Sequence, residues 1–319
     1  MKNTPSLLII LLIIATSCTN KDNTQTSYTL KNEKIEVHID LPLNNYQFSR
    51  FDWTGKIAAV KYKGIFVSGT EKLNHKDSMI YGKGFYNEFG IDRPIDYEDT
   101  KEGDYFHKIG IGLLKKEGEH YQFSHRYEIE PAEYIITKET NKLIIECSAP
   151  KVNGYSYELK KVIELLESGF VIHYHLRNTG KKTIMTNEYT HNFLAINKEF
   201  MGSHYILKFP FQIKPELFGA TVNPEEKVVI RQNEITFNAT PNEQFFFSNL
   251  SGNENIDAYW ELINTKSKIG ISEKASFKTS KVNVWGWKHV ISPELFFDLK
   301  VGPNQVVQWS RTYTVFEID

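Results

Sequence analysis

Polar and apolar residues trade places at every second position through much of the chain. Lys34-Ile-Glu-Val-His-Ile39, Lys56-Ile-Ala-Ala-Val-Lys-Tyr62, Tyr121-Gln-Phe-Ser-His-Arg-Tyr127 and Phe170-Val-Ile-His-Tyr-His-Leu176 all read this way. Successive side chains of a strand point to opposite faces, so the pattern predicts half-buried β-strands. Turn-forming residues interrupt it at Lys116-Glu-Gly118, Asn153-Gly154, Glu167-Ser-Gly169, Asn178-Thr-Gly180 and Gly302-Pro-Asn304, a spacing that predicts many antiparallel strands. Residues 157–166 show some helical periodicity, but their β-favouring side chains and the following Ser168-Gly169 predict a strand. No Pro-rich or Ser-rich linker and no repeat divides residues 28–319. They read as one all-β domain in which large antiparallel sheets bury their alternating faces. Residues 64–102, with Gly69, Gly82, Gly84 and Gly90, break the rhythm, and long irregular segments on a β scaffold commonly carry function.

The N-terminus follows a different pattern. Residues 1–17 hold one Lys and then an apolar run from Leu7 to Ala15, too short to span a bilayer comfortably and laid out as an export signal. Ala15-Thr-Ser-Cys18 resembles a lipobox, which implies that Cys18 becomes the lipidated first residue of a bacterial envelope lipoprotein. An ordinary signal peptide cut nearby is the alternative. Residues 18–27 are polar and aperiodic, a flexible tether. Once Cys18 is lipidated, Cys147 has no cysteine to pair with, so stability must come from the core.

The formal net charge is −1, with both signs interspersed and no Lys/Arg block. That argues against nucleic acid, leaves the lipid anchor as the sole expected membrane contact, and favours an uncharged partner. Aromatics make up 13% of the chain; they suit strands and also the apolar faces of sugar rings.

Two segments more than a hundred residues apart each place a lone titratable group beside a strand, His191 in Asn187-Glu-Tyr-Thr-His191 and Glu294 in Ser292-Pro-Glu294. Brought together, they are one acid and one base. Phe170 to Gly180, followed by Lys182-Thr-Ile-Met-Thr-Asn-Glu-Tyr-Thr-His191-Asn-Phe193, resembles the galactose mutarotase (aldose 1-epimerase) superfamily. So does the C-terminal order of Trp285-Gly-Trp287, Ser292-Pro-Glu294, Gly302-Pro-Asn304 and Trp309-Ser-Arg-Thr-Tyr313. The resemblance implies a β-supersandwich and a mono- or oligosaccharide ligand. It also implies His191 as the general acid on the ring oxygen and Glu294 as the general base on the anomeric hydroxyl, with no cofactor. Unperturbed pKa values of about 6.5 and about 4.3 let an imidazolium and a carboxylate coexist near neutrality, each stabilising the other's charge.

Arg50 sits where relatives often carry an arginine that points at substrate, and a salt bridge to Asp52 or another acid at the surface is the competing reading. Where galactose mutarotases have a further histidine, this chain has Gly84-Phe-Tyr-Asn-Glu-Phe-Gly90. Asn87 and Glu88 are candidates for the missing hydrogen bonds, and His75 and His107 for replacing the ring. Trp285 and Trp287 share a strand face, one of them a candidate for stacking on a pyranose and the other for the core. Tyr86, Tyr189 and Asn192 are pocket candidates by proximity. His173 and His175 also share a face, but with Arg177 beside them they read as a polar surface rather than a metal site. Three functions follow in order: an anomer-interconverting isomerase, a noncatalytic carbohydrate-binding lipoprotein working beside glycan-degrading proteins, and a domain related to polysaccharide lyases or hydrolases.

Overall fold

The computed structural model describes residues 25–73 and 79–319. The expected export signal 1–17, Cys18 with its expected lipid, His75 and most of the expected tether lie outside these residues. Ser27, expected to end the tether, already opens the first strand, Ser27–Lys31.

Among the described residues nearly all regular secondary structure is strand, in large antiparallel sheets. Local pattern becomes burial as expected of pleated strands. Tyr157–Leu166 alternates between buried and more exposed positions at its start and pairs with Gly169–Asn178 from Tyr157↔Asn178 to Leu166↔Gly169, closing a hairpin through Glu167 and Ser168. The expected strand at 121–127 does not form. Its backbone turns, with the His125 N–H donating to the Gln122 carbonyl. Tyr121 stacks on Tyr127 and both pack on Phe106. Its alternation thus serves an aromatic cluster rather than a sheet.

Ten strands form the largest sheet, in which Gly169–Asn178, Val306–Glu317 and Ile269–Thr279 lie side by side. A seven-stranded sheet includes, in order, Lys56–Tyr62, Phe85–Phe89, Ile184–Asn192 and Phe297–Val301. Their facing sides share the main core, where Phe85 packs against Phe170 and Tyr313. The next residue, Tyr86, points the opposite way into a second cluster with Tyr46 and Phe51. Gly84 makes this strand's start possible: it has φ +60°, and a Cβ there would lie 2.1 Å from the Ile57 carbonyl oxygen. Two smaller sheets complete the fold, three-stranded and four-stranded, the latter ending in the hairpin Val282–Trp287 and Val290–Leu295. No helix among the described residues is long and apolar enough to cross a membrane.

Candidate active site

Ile184–Asn192 is unusual in being both polar and buried along nearly its whole length. Its alternation separates two tasks. Glu188 and Asn192 turn toward the ten-stranded sheet, where Glu188 meets Arg311 and Asn192 meets Glu273 and Tyr313. Tyr189 and His191 turn the other way and line a cavity of about 560 Å³.

Glu294 comes from a different sheet. In its hairpin, Asn283 pairs with Glu294 and Trp285 with Ser292, so period two puts Asn283, Trp285 and Trp287 on the cavity side with the carboxyl. Few backbone bonds join the histidine and glutamate strands. Leu194, just past the first, exchanges both backbone hydrogen bonds with Ile291. Side chains do the rest: Asn192 Nδ2 donates to the Pro293 carbonyl at 2.7 Å, and Arg311 Nη2 to the Leu295 carbonyl at 2.9 Å. Glu294 is therefore held from the residues on both sides of it.

His191 Nε2 lies 3.4 Å from Glu294 Oε1, with side-chain exposures of 4% and 7%. Phe193 stacks on the imidazole at 4.1 Å between centroids, and Trp285 and Phe51 meet it edge-on at 5.2 and 6.0 Å. Burial among these rings disfavours charge on either group. It pushes the Glu294 carboxyl up to about 8, against the opposing effect of Arg50. It also drives His191 well below its usual range, with Arg50 adding to the effect. Burial thus favours a neutral imidazole and a carboxylic acid over the expected imidazolium and carboxylate, two descriptions that contain the same number of protons.

Arg50, Tyr189, Trp285 and Trp287 share the cavity wall with the pair. Arg50 does not bridge to Asp52, which takes Lys161 instead at 2.7 Å. Its Nε donates to Glu88 at 2.9 Å and its Nη2 to the Tyr189 hydroxyl at 3.1 Å, while the guanidinium lies 4.5 Å over both Phe51 and Phe123. Glu88 is fully buried behind it, bound also by Lys108 and the Tyr189 hydroxyl, and supports the wall without lining it.

Tyr86, Asn87 and Asn192 do not line the cavity. Tyr86 donates to Asp40 within the second cluster, Asn87 donates to Glu188 and the Tyr189 carbonyl, and Asn192 ties the two strands. Asn87 and Asn192 are buried on the strand face directed away from the cavity, whereas Tyr86, the register partner of His191, shares its face but packs under Tyr46 and Phe51, distinctions that nearness in sequence does not make. His107 is buried against Tyr157 and is likewise off the wall. His173 is exposed and His175 half-buried on the ten-stranded sheet. No group of three or more His, Cys, Asp or Glu among the described residues is arranged to hold a metal ion.

The wall also carries residues that the sequence did not single out, among them Glu71, Asp92, Phe123, Lys281, Asn283 and Phe296. Asn283 was legible in principle, two residues before Trp285 on the same face. Glu71, Asp92 and Phe123 come from irregular segments whose direction no periodicity encodes.

Large antiparallel sheets in this arrangement are the fold of the galactose mutarotase-like proteins. No family model and no curated protein matches the chain. Among solved structures it is similar to the Slr1438 protein from Synechocystis sp. PCC 6803, at 11% identity and TM-score 0.60 over 92% of this chain and 97% of that one. A galactose mutarotase related enzyme from Lactobacillus acidophilus matches at 11% identity and TM-score 0.55, covering 92% and 99%. A galactose mutarotase-like protein from Clostridium acetobutylicum matches at 13% and TM-score 0.55, covering 91% and 95%.

Proposed function

We propose that the chain is an aldose 1-epimerase-like isomerase that interconverts sugar anomers through His191 and Glu294. The observation that carries this reading is their 3.4 Å contact on the wall of a cavity rich in aromatic rings. The ring oxygen O5 and the anomeric O1 are bonded to the same carbon, so an acid and a base serving them must stand within a few ångströms of each other. With its proton held at rest, Glu294 donates to O5 while His191 Nε2 takes the O1 proton, the reverse of the roles implied by the family resemblance. The C1–O5 bond opens to an aldehyde, C1 rotates about C1–C2, and the ring recloses on the other carbonyl face. The imidazolium then returns its proton to O1 and the Glu294 carboxylate recovers one from the O5 hydroxyl. Protons balance, and no cofactor takes part.

Polarimetry or NMR of freshly dissolved α-glucose and α-galactose tests the proposal. Wild-type protein accelerates equilibration over the spontaneous rate, and His191→Ala and Glu294→Gln each lower that catalysis by about 10²–10⁴-fold with unchanged circular dichroism. A wild-type rate equal to the buffer rate with these and other common aldoses would remove the reading. The aromatic wall favours a second reading, a noncatalytic carbohydrate-binding protein, which predicts saturable glycan binding that survives in both variants. For hydrolysis, the other wall acids are already engaged: Glu71 is 3.9 Å from Arg50 and Asp92 is 2.7 Å from Lys281.

The same proposal places the protein in the bacterial cell envelope on a lipidated Cys18, where glycan-degrading proteins release reducing ends. Metabolic labelling with palmitate should mark the wild type and leave Cys18→Ala unlabelled; equal labelling of both refutes the anchor.

A further inference from the structure

The cavity extends beyond what one sugar ring at the acid-base pair would cover. Its hairpin wall is a ladder of residues two apart. Asn283 lies beside Glu294, then Trp285 pairs on one side with Ser292 and on the other with Phe246, and Trp287 follows. At roughly 3.3 Å per residue, Trp287 stands about 13 Å along the strand from Asn283. Burial grades along the same direction. His191 and Glu294 are almost fully covered, Trp285 and Trp287 are half-buried, and Phe123, against Arg50, is 40% exposed. The pair thus lies in the covered middle of the wall, which opens toward the tryptophans on one side and, past Asn283, toward Lys281 and Asp92 on the other.

Most charges of the wall are paired. Arg50 is engaged by Glu88 and Glu71, and Lys281 by Asp92. Lys72 donates to the Tyr81 hydroxyl at 3.0 Å and lies over that ring. An anionic ligand would have to displace carboxylates from Arg50 or Lys281, whereas a neutral one meets rings and the polar groups of Asn283, Gln244 and Ser248.

We infer that the cavity takes the reducing end of an uncharged oligosaccharide of at least two sugar rings. Its terminal hemiacetal ring sits at His191 and Glu294 beside Trp285, and its next ring lies on Trp287. The inference deepens the epimerase reading and rests on it for the orientation of the chain. Only a reducing end carries the hemiacetal that the pair can open, so the chemistry of the pair selects a chain end.

The experiment compares glucose, maltose, cellobiose, lactose and glucuronic acid on the folded protein, with binding read by calorimetry and anomer exchange by NMR, separately. At least one disaccharide should bind about tenfold more tightly than glucose, the value of one well-placed aromatic stack, and glucuronic acid should bind no better than glucose. Trp287→Ala should bring the disaccharide-to-glucose ratio toward one, and Trp287→Phe, which keeps a ring, should retain part of it. The inference is overturned if no disaccharide exceeds glucose, if the ratio is indifferent to Trp287→Ala in folded protein, or if glucuronic acid is preferred. Trp287-dependent disaccharide binding without accelerated anomer exchange would leave the ligand class standing and refute turnover. Exchange on glucose without disaccharide preference would do the opposite.

Discussion

Replacing Arg311 by Met probes the contact that joins three sheets at the back of the site. The guanidinium is fully buried on Val306–Glu317 of the ten-stranded sheet. It donates to Glu188 of the seven-stranded sheet at 3.0 and 2.7 Å, to Glu273 at 2.5 Å, and to the Leu295 carbonyl of the four-stranded sheet at 2.9 Å. Met fills much of the same volume but leaves two buried carboxylates without a cation. Removing one partner of a buried pair costs about 3–5 kcal/mol, a large part of the roughly 5–15 kcal/mol that holds a domain folded. Protonation limits that cost. Burial already raises the Glu188 carboxyl while Arg311 pulls it down, so without Arg311 its folded pKa rises further above the unfolded value. The unfolded variant then binds fewer protons than the folded one across that interval, and stability falls as pH rises through it. Urea unfolding followed by tryptophan fluorescence should show a loss of about 3–5 kcal/mol at pH 7.5 and a smaller one at pH 5. Replacing Glu188, Arg311 and Glu273 together by apolar residues should recover much of it. A loss below about 1 kcal/mol at pH 7.5, or an equal loss at both pH values, would refute the reasoning.

Glu294→Gln should stabilise the protein in a pH-dependent way. Because the folded carboxyl sits at about 8 against an ordinary value of 4.5, wild-type stability falls as pH rises between those values. The group costs about 3 kcal/mol by pH 7. Denaturation midpoints should therefore separate at pH 7–8 and converge near pH 4.5, and a destabilised variant at pH 8 would contradict the assignment. The neutral resting pair has a direct spectroscopic signature as well. In protein labelled with ¹⁵N-histidine at pH 7, the His191 ring nitrogens should resonate as a neutral imidazole, whereas imidazolium shifts would place the proton on His191 instead of Glu294.

Much of the architecture was legible because strand alternation and turn chemistry are local. Tyr157–Leu166 could be assigned from ten residues and the turn after them. The failure at 121–127 is also physical, since alternating aromatics satisfy a strand and a stacked cluster equally well until a neighbouring strand is present or absent. The polar strand Ile184–Asn192 marks the limit within the site. Alternation separates Tyr189 and His191 from Glu188 and Asn192, but with both faces buried it does not say which faces the cavity. Asn192 and Asn87, close in sequence to the proposed groups, turned out to support the strands, and Glu88 to support Arg50.

By itself, the sequence determined that the domain would be built of antiparallel strands, and its resemblance pointed to a histidine and a glutamate as the pair to examine. The tertiary structure decided three further matters. It set the 3.4 Å meeting of residues from different sheets, the walls drawn from irregular loops, and the burial that favours the uncharged form of the pair. Each depends on atoms distant in the chain. A pKa is set by how much water the packed neighbours exclude and which charges they bring, and Phe51, Phe193, Trp285 and Arg50 surround His191 and Glu294 only after folding.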